Sequence, residues 1–315
     1  MTDSAANETS ATGEGLAPRV TIAIPTLNRP HTCELAIHSA LDQAGVDCHI
    51  LVSENGSDPE FAARYEALFA RLPERVRVLR QPRRLAVEDH LPALVGRVGT
   101  PYVVVLADDD ALVPGFVARA LALAERGGHA MVFGPYRTEW KASGKAIVRE
   151  FDYTSRNRYL RILKFVARRN DSFIYGLFET SVLNAGMQEF RPLSIVGRRT
   201  LTRIAYAPLF ACLLAGSYGH LHGDAVWVGT VDSAKAESYL GRSNVGKLVY
   251  LVLGEGVLAA RFIRIAAARE GAVFAAVVAP VVIVMAIVEA AGFVLMAARR
   301  FAQALLSLAR RGVVR

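Results

Sequence analysis

The sequence predicts an α/β fold built on a doubly wound, mostly parallel sheet. Short β-branched apolar runs alternate with segments of helical periodicity, the runs are too uniformly apolar to present a face to water, and the loops after them are polar. Parallel strands need crossover connections, so strands buried on both faces and separated by helices belong side by side in one sheet. With 315 residues, 52% hydrophobic and 21% charged, the chain can fill a large core and is neither fibrous nor disordered. Its three cysteines, Cys33, Cys48 and Cys212, are odd in number and lack zinc-type spacing, which argues for a reducing compartment and against a disulfide framework.

Residues 1–18 are small and polar and read as a disordered leader, without the cationic start and apolar run of a secretory signal. Val20 to Ile24 is the first strand, Thr26 to Pro30 a polar loop, and Thr32 to Gln43 a helix with apolar Leu35, Ala36, Ile37, Ala40 and Leu41. The unit recurs as strand Cys48 to Val52, turn Asn55 to Pro59 and helix Glu60 to Arg71. Val76 to Arg80 is a third strand, Val87 to Val98 a third helix, and Tyr102 to Leu106 a fourth strand. In such sheets ligands bind beyond the carboxyl ends of the strands, which singles out Thr26 to Arg29, Ser53 to Asp58 and Ala107 to Asp110.

Asp108, Asp109 and Asp110 are the most informative residues. Three adjacent carboxylates repel, and at the end of a buried strand a cation or a set of donors must offset that repulsion. Mg2+ or Mn2+ takes one or two protein carboxylates and completes its shell with water and phosphate oxygens. The competing reading is a solvated loop in which Asp109 or Asp110 caps a helix starting near Val113 or Pro114.

Three segments carry a family likeness through their order and spacing: Val20-Thr-Ile-Ala-Ile-Pro-Thr-Leu-Asn28-Arg29-Pro30, Ile50-Leu-Val-Ser-Glu54-Asn55-Gly56-Ser57-Asp58 and Val103-Val-Val-Leu-Ala-Asp108-Asp109-Asp110. Together they resemble glycosyltransferase family 2, well over residues 19–136 and weakly to about residue 230. The resemblance implies a GT-A fold over residues 19–240 and an inverting, metal-dependent transfer from a UDP, GDP or dTDP sugar. It implies that Pro25, Thr26, Asn28 and Arg29 border base and ribose, and that Glu54 and Asn55 lie near the base. Arg84, with Arg83, is expected to approach the phosphates, and Asp89 to line the nucleotide pocket. Asp108 and Asp110 form the D-x-D pair, with Asp110 on the ion and Asp108 on ribose or a metal-bound water; a frame using Asp109 is the alternative. A sugar-1-phosphate nucleotidyltransferase is disfavoured, because Pro25-Thr-Leu-Asn-Arg-Pro30 stands where that class has a glycine-rich loop.

An inverting transfer also needs a base near the attacking hydroxyl. The resemblance places an acidic residue near the start of a later helix, yet Phe190 to Gly223 contains no Asp or Glu, and Pro208 and Leu209 stand at the expected place. Glu189 and Asp171 are the leading candidates, and Asp224 a third. Phe173 to Phe178 resembles the family's strand below the acceptor site, and His220 and His222 read as structural. The missing obvious base leaves a noncatalytic nucleotide-sugar-binding or membrane-partner protein as the alternative.

Residues 241–315 hold ten Lys or Arg against three Glu, a net +7 of the chain's +8. Because the basicity lies in an apolar tail, it points to an anionic membrane surface rather than to nucleic acid. Gly271 to Ala298 is long enough to span a bilayer, interrupted by Pro280 and Glu289. Arginines on both flanks favour a peripheral or re-entrant arrangement at the cytoplasmic face. The soluble alternative is a helical hairpin, its first helix over 245–258, packed on the catalytic domain or on a second subunit. Membrane contact makes a lipid-linked acceptor the expectation beside a free glycan.

Overall fold

The computed structural model describes residues 17–140, 143–195, 197–201, 203–231 and 244–312, so the expected leader lies outside the described residues up to residue 16. Val20–Thr26 (β1) is buried along its length except at Pro25. It pairs in parallel with Cys48–Glu54 (β2) and with Tyr102–Val105 (β4), and β2 pairs in parallel with Val76–Arg80 (β3). Pairing with β4 ends at Ala23, whereas pairing with β2 runs on to Thr26. Pro25 therefore sits where β1 has a strand neighbour on one side, and its missing N–H breaks no ladder.

Pro30–Leu41 (α1) and Pro59–Phe69 (α2) each start on a proline, slightly earlier than helical periodicity alone indicates. A helix's first turn leaves its N–H groups unpaired, so proline fits there at no loss. Val87–Val95 (α3) stops at Gly96, short of the expected Val98. After β4 come Ala111–Leu112 (β5) and Phe116–Gly127 (α4). Gly115, in the left-handed region at φ +74, precedes α4, and the Val117 N–H in the helix's first turn donates to the Gln43 side chain at 3.2 Å, not to an aspartate. The aspartates thus have no capping role.

Beyond α4 the chain forms Met131–Phe133 (β6), Tyr136–Trp140 (β7), Lys145–Arg149 (β8), Arg158–Ala167 (α5), Leu177–Glu179 (β9) and Thr180–Met187 (α6). Leu193–Ile195 (β10) and Arg198–Thr200 (β11) make a hairpin, followed by Tyr206–Ala215 (α7), Tyr218–His220 (β12) and Trp227–Val231 (β13). The main sheet has seven strands in the order β12-β6-β9-β4-β1-β2-β3, and β9 alone runs antiparallel to its neighbours. A second sheet, β5-β13-β7-β8, stands at its carboxyl edge. The strand expected over Phe173 to Phe178 is shorter than expected: Ser172–Tyr175 is a single 3-10 turn and only β9 is extended. Where the chain leaves the sheet, Tyr175 stacks on Trp227, ring centroids 4.6 Å apart.

Asn244–Glu270 (α8) and Ala272–Gly312 (α9) form an antiparallel helical pair joined at Gly271, whose φ of +89 an L side chain adopts only with strain. α8 runs through Lys247 and Glu255 instead of ending near residue 258. Leu258, Phe262, Ile265 and Ala266 are buried, and Phe262 stacks on Phe210 of α7 with centroids 4.4 Å apart. α9 buries Val278 and Val282, and its Phe274 stacks on Tyr159 of α5. Its outer face leaves Val273, Val277, Val284, Ile287, Val288 and Leu295 exposed. Ala272–Arg299 is long and apolar enough to cross a membrane, at a mean hydropathy of 2.6, with 28% of its most apolar stretch buried.

The crossing of the 3-10 turn over β6 tolerates no side chain at Gly176, where a Cβ would stand 2.7 Å from the Val132 carbonyl oxygen and 3.0 Å from that of Phe173. Gly176→Ala is expected to lower stability by about 1–3 kcal/mol through overpacking, read as a lower denaturant midpoint at unchanged slope.

Candidate active site

The carboxyl ends of β1 and β4 bring Thr26 and Asp108 together. The Thr26 hydroxyl donates to Asp108 Oδ2 at 2.8 Å and shares a second bond with the Tyr65 hydroxyl at 2.7 Å. Arg29 Nη1 lies 2.9 Å from both Asp108 Oδ1 and Asp109 Oδ2. Arg29, expected near base and ribose, is therefore placed on the aspartates. Asp110 Oδ1 accepts from the Thr230 N–H at 2.9 Å, which ties the loop to β13 of the second sheet.

These partners do not fully offset the carboxylates. Burial pushes the Asp110 carboxyl up to about 7; the Thr230 N–H opposes that shift, while Asp109 and Asp108 add to it. The Asp108 pKa is also raised by burial, against the pull of Arg29 and Thr26. Oxygen ligands with unbalanced negative charge suit a hard divalent cation such as Mg2+ or Mn2+. Asp108, expected among the metal ligands, is buried with one oxygen on Thr26 and the other on Arg29. Asp109 and Asp110 are the members of the triplet that reach the adjoining cavity.

That cavity, about 620 Å³, lies between the carboxyl edge of the main sheet and the second sheet. Pro25, Val105 and Ala107 contribute one wall, and Thr138, Trp227 and Thr230 contribute another. Asp171, Ser172 and Tyr175 enter from the 3-10 turn, Phe190 from the stretch after α6, and Ile204 and Ala205 from the segment just before α7. Asp171 is open to solvent and has no ion-pair partner among the described residues; the protein packed around it raises its pKa. Tyr175 is neutral, because burial and the surrounding Asp110 and Asp171 drive its pKa well above the usual phenol value.

The other predicted residues fall into two groups. Asn28, at φ +57, accepts from the Asp58 N–H and donates to the Asp58 carboxylate, and its own N–H donates to Ser57 Oγ. Glu54 accepts from the Ser57 N–H at 2.6 Å, Arg84 pairs with Asp58 at 2.6 Å, and Arg83 is exposed. Asn55 is buried and bonds both backbone groups of Leu85, so it pins the segment after β3. These residues brace the loops beside the aspartates. Asp89 and Glu189 stand apart: Asp89 is exposed opposite Arg191 at 3.7 Å, and Glu189 is held by Arg264 at 2.6 Å and Arg261 at 3.4 Å. Neither lines the cavity.

Asp224 is exposed in a loop, and the start of α7 meets the cavity with apolar Ile204 and Ala205. His220 Nε2 is paired with Glu150 at 2.6 Å; with His222 their ligand atoms lie within 4.8 Å of one another, away from the cavity wall. Sequence reasoning missed Tyr175, Trp227 and Thr230. The aromatics look like core residues in apolar segments, and Thr230 acts through its backbone, which carries no side-chain signature.

Residues 21–179, just over half of the chain, match the sequence model of the family described as Glycosyl transferase family 2. Comparison with curated protein sequences gives no match. Among solved structures, S. aureus TarS is 11% identical with a TM-score of 0.50, the match covering 78% of this chain and 43% of that one, so this chain spans less than half of that protein. TarS 1–349 in complex with UDP-GlcNAc is 12% identical with a TM-score of 0.53, covering 79% of this chain and 70% of that one. The mannosyltransferase PcManGT from Pyrobaculum calidifontis, in complex with GDP-Man and Mn2+, is 14% identical with a TM-score of 0.53, covering 93% and 81%. Identities this low speak for the fold alone. With the family match and the α/β sheet that carries the three aspartates at its carboxyl edge, the chain belongs to glycosyltransferase family 2 and is a glycosyl-transferring enzyme on a GT-A fold.

Proposed function

We propose that the enzyme moves a sugar from a nucleoside-diphosphate sugar to a hydroxyl of a glycan or lipid-linked acceptor, with a divalent cation and with inversion at the anomeric carbon. One observation carries this reading: Asp109, Asp110 and, from a separate element, Asp171 converge on a single cavity at the carboxyl edge of the sheet. The nucleotides in the TarS and PcManGT structures, and the Mn2+ in the latter, support a nucleotide-sugar donor and a cation.

In this reading Asp110, with Asp109 beside it, would hold the cation, which would supply charge to offset the leaving diphosphate. Asp108 fixes Arg29 and Thr26 at the donor side. Asp171 takes the proton of the acceptor hydroxyl as its oxygen attacks the anomeric carbon opposite the leaving group, and that geometry inverts the centre. A carboxylate whose pKa is raised by the protein packed around it is a stronger base than an ordinary one, which favours Asp171 over Glu189 with its two arginines. The exposed apolar face of α9 and the arginines of the tail support an enzyme held peripherally at the cytoplasmic face of a membrane, next to a lipid-linked acceptor.

Thermal stability in the presence of UDP, GDP and dTDP, each with and without Mn2+, tests donor and cation together. At about 100 times its dissociation constant the right nucleotide adds roughly 2.7 kcal/mol, or about 5–10 °C, only with metal and not in Asp110→Ala. Asp171→Asn is expected to lower kcat by about 10²–10⁴-fold with nucleotide binding retained, whereas Glu189→Gln keeps turnover near wild type. The base must be ionised, so its raised pKa moves the acid limb of the pH–rate profile above the ordinary aspartate range. The same shift means that protonation stabilises the folded state at low pH and that this gain is lost as pH rises through the folded pKa. Asp171→Asn is therefore at least as stable as wild type at neutral pH, as a melting curve checks.

A further inference from the structure

A glutamate on the C-terminal hairpin joins the two segments that close the cavity opposite the donor loops. Glu255 of α8 is 1% exposed. Arg169 Nη2 lies 2.8 Å from its Oε2 and Arg203 Nη1 lies 2.9 Å from its Oε1, and both arginine side chains are at least nine-tenths buried. Each arginine borders the cavity wall in sequence: Arg169 stands two residues before Asp171, and Arg203 immediately before Ile204 and Ala205.

Arg203 has φ +65, a conformation that a residue with a side chain rarely adopts unless its surroundings impose it. Those surroundings come from the hairpin. Its Nη1 also donates to the Leu251 carbonyl at 3.3 Å, its guanidinium lies 5.1 Å from the Phe293 ring of α9, and a Cβ on Gly254 would come within 3.1 Å of it. Arg169 in turn lies 4.0 Å from Glu289 of α9 and 5.8 Å over the Tyr206 ring. A buried ion-pair cluster is a weak source of stability compared with packed apolar groups, but it fixes geometry, because breaking one contact strands another charge. Thr26, Arg29, Asp108 and Asp110 have partners in β1, α2, the loops after β1 and β4, and β13, and none of the bonds described for them reaches the hairpin.

We propose that Glu255 is a positioning residue for the acceptor side of the cavity: by holding Arg169 and Arg203 it sets the Asp171 carboxyl and the Ile204–Ala205 wall in place. The hairpin is then a working part of the catalytic unit. The inference rests on the reading of Asp171 as the base.

The test uses the full chain with Glu255→Gln, Arg169→Met and Arg203→Met. The two arginine variants each leave Glu255 paired with the remaining arginine, so they survive folding where Glu255→Gln does not. The expected result is a kcat at least tenfold lower, with the donor KM and the Mn2+-dependent dissociation constant of the nucleotide within about threefold of wild type, and partial recovery in Arg203→Lys. Amide hydrogen exchange is expected to quicken at residues 170–176 and 203–206 and to stay unchanged at 26–29 and 108–110. Folded variants with kcat within twofold of wild type overturn the proposal, as does a parallel loss of nucleotide binding and turnover, or failure of all three variants to fold, since the cluster would then serve stability in general. A wild type that turns over no donor defeats the proposed function instead. Exchange then decides this inference by itself, for it if the change is confined to those segments and against it if the change is uniform or absent.

Discussion

Like charges on Asp108, Asp109 and Asp110 repel, and the carboxyl edge of the sheet is organised around offsetting that repulsion. β1 supplies the Thr26 hydroxyl, the loop after it supplies the Arg29 guanidinium, and β13, more than a hundred residues away, supplies the Thr230 N–H. Each donor is delivered by a different element, so the triplet fixes the relation of the main sheet to the second sheet as well as its own geometry. The offset is incomplete at Asp110, whose carboxyl burial pushes up to about 7. A site left short of positive charge at a cavity wall is suited to a cation, because a cation there would offset both the repulsion and the penalty of burying the charge.

The first half of the fold was legible because its determinants are local. A strand buried on both faces must be a largely apolar run, and β4 and the middles of β1 and β2 are such runs. The aspartate triplet was legible for the same reason, since three charges after the apolar run from Tyr102 to Ala107 conflict unless something compensates. The second sheet was not, because β5 is two residues long and owes its existence to pairing with β13. Nor was the role of Asn55, whose amide imitates a strand neighbour for Leu85. Its residue type fits a nucleotide contact or a loop pin equally well, and only the position of Leu85 distinguishes them.

The two base candidates show the same limit. Glu189 and Asp171 are equivalent as residue types, and both lie in polar stretches of sequence. Glu189 is taken out of contention by Arg261 and Arg264, which come from α8 some seventy residues later. Asp171 keeps its carboxyl open to the cavity because the neighbouring Arg169 turns away to Glu255. The hairpin thus distinguishes the two carboxylates by pairing with one and not the other, and no sequence pattern within residues 19–240 contains that difference.

The hairpin meets two environments at once. Its inner side is fixed by stacked aromatics, Phe262 on Phe210 and Phe274 on Tyr159, and by the buried charges around Glu255. Its outer side presents a row of large aliphatic residues from Val273 to Leu295 that nothing among the described residues covers. In water such a row is unfavourable by about 25 cal/mol for each Å² left exposed, and a contiguous apolar patch of this kind marks a surface built to meet another apolar phase. A helix docked so firmly on one side cannot turn that row inward without breaking the Glu255 cluster. Whatever covers the outer face of α9 therefore bears, through α8, on the segments that carry Asp171 and Ala205.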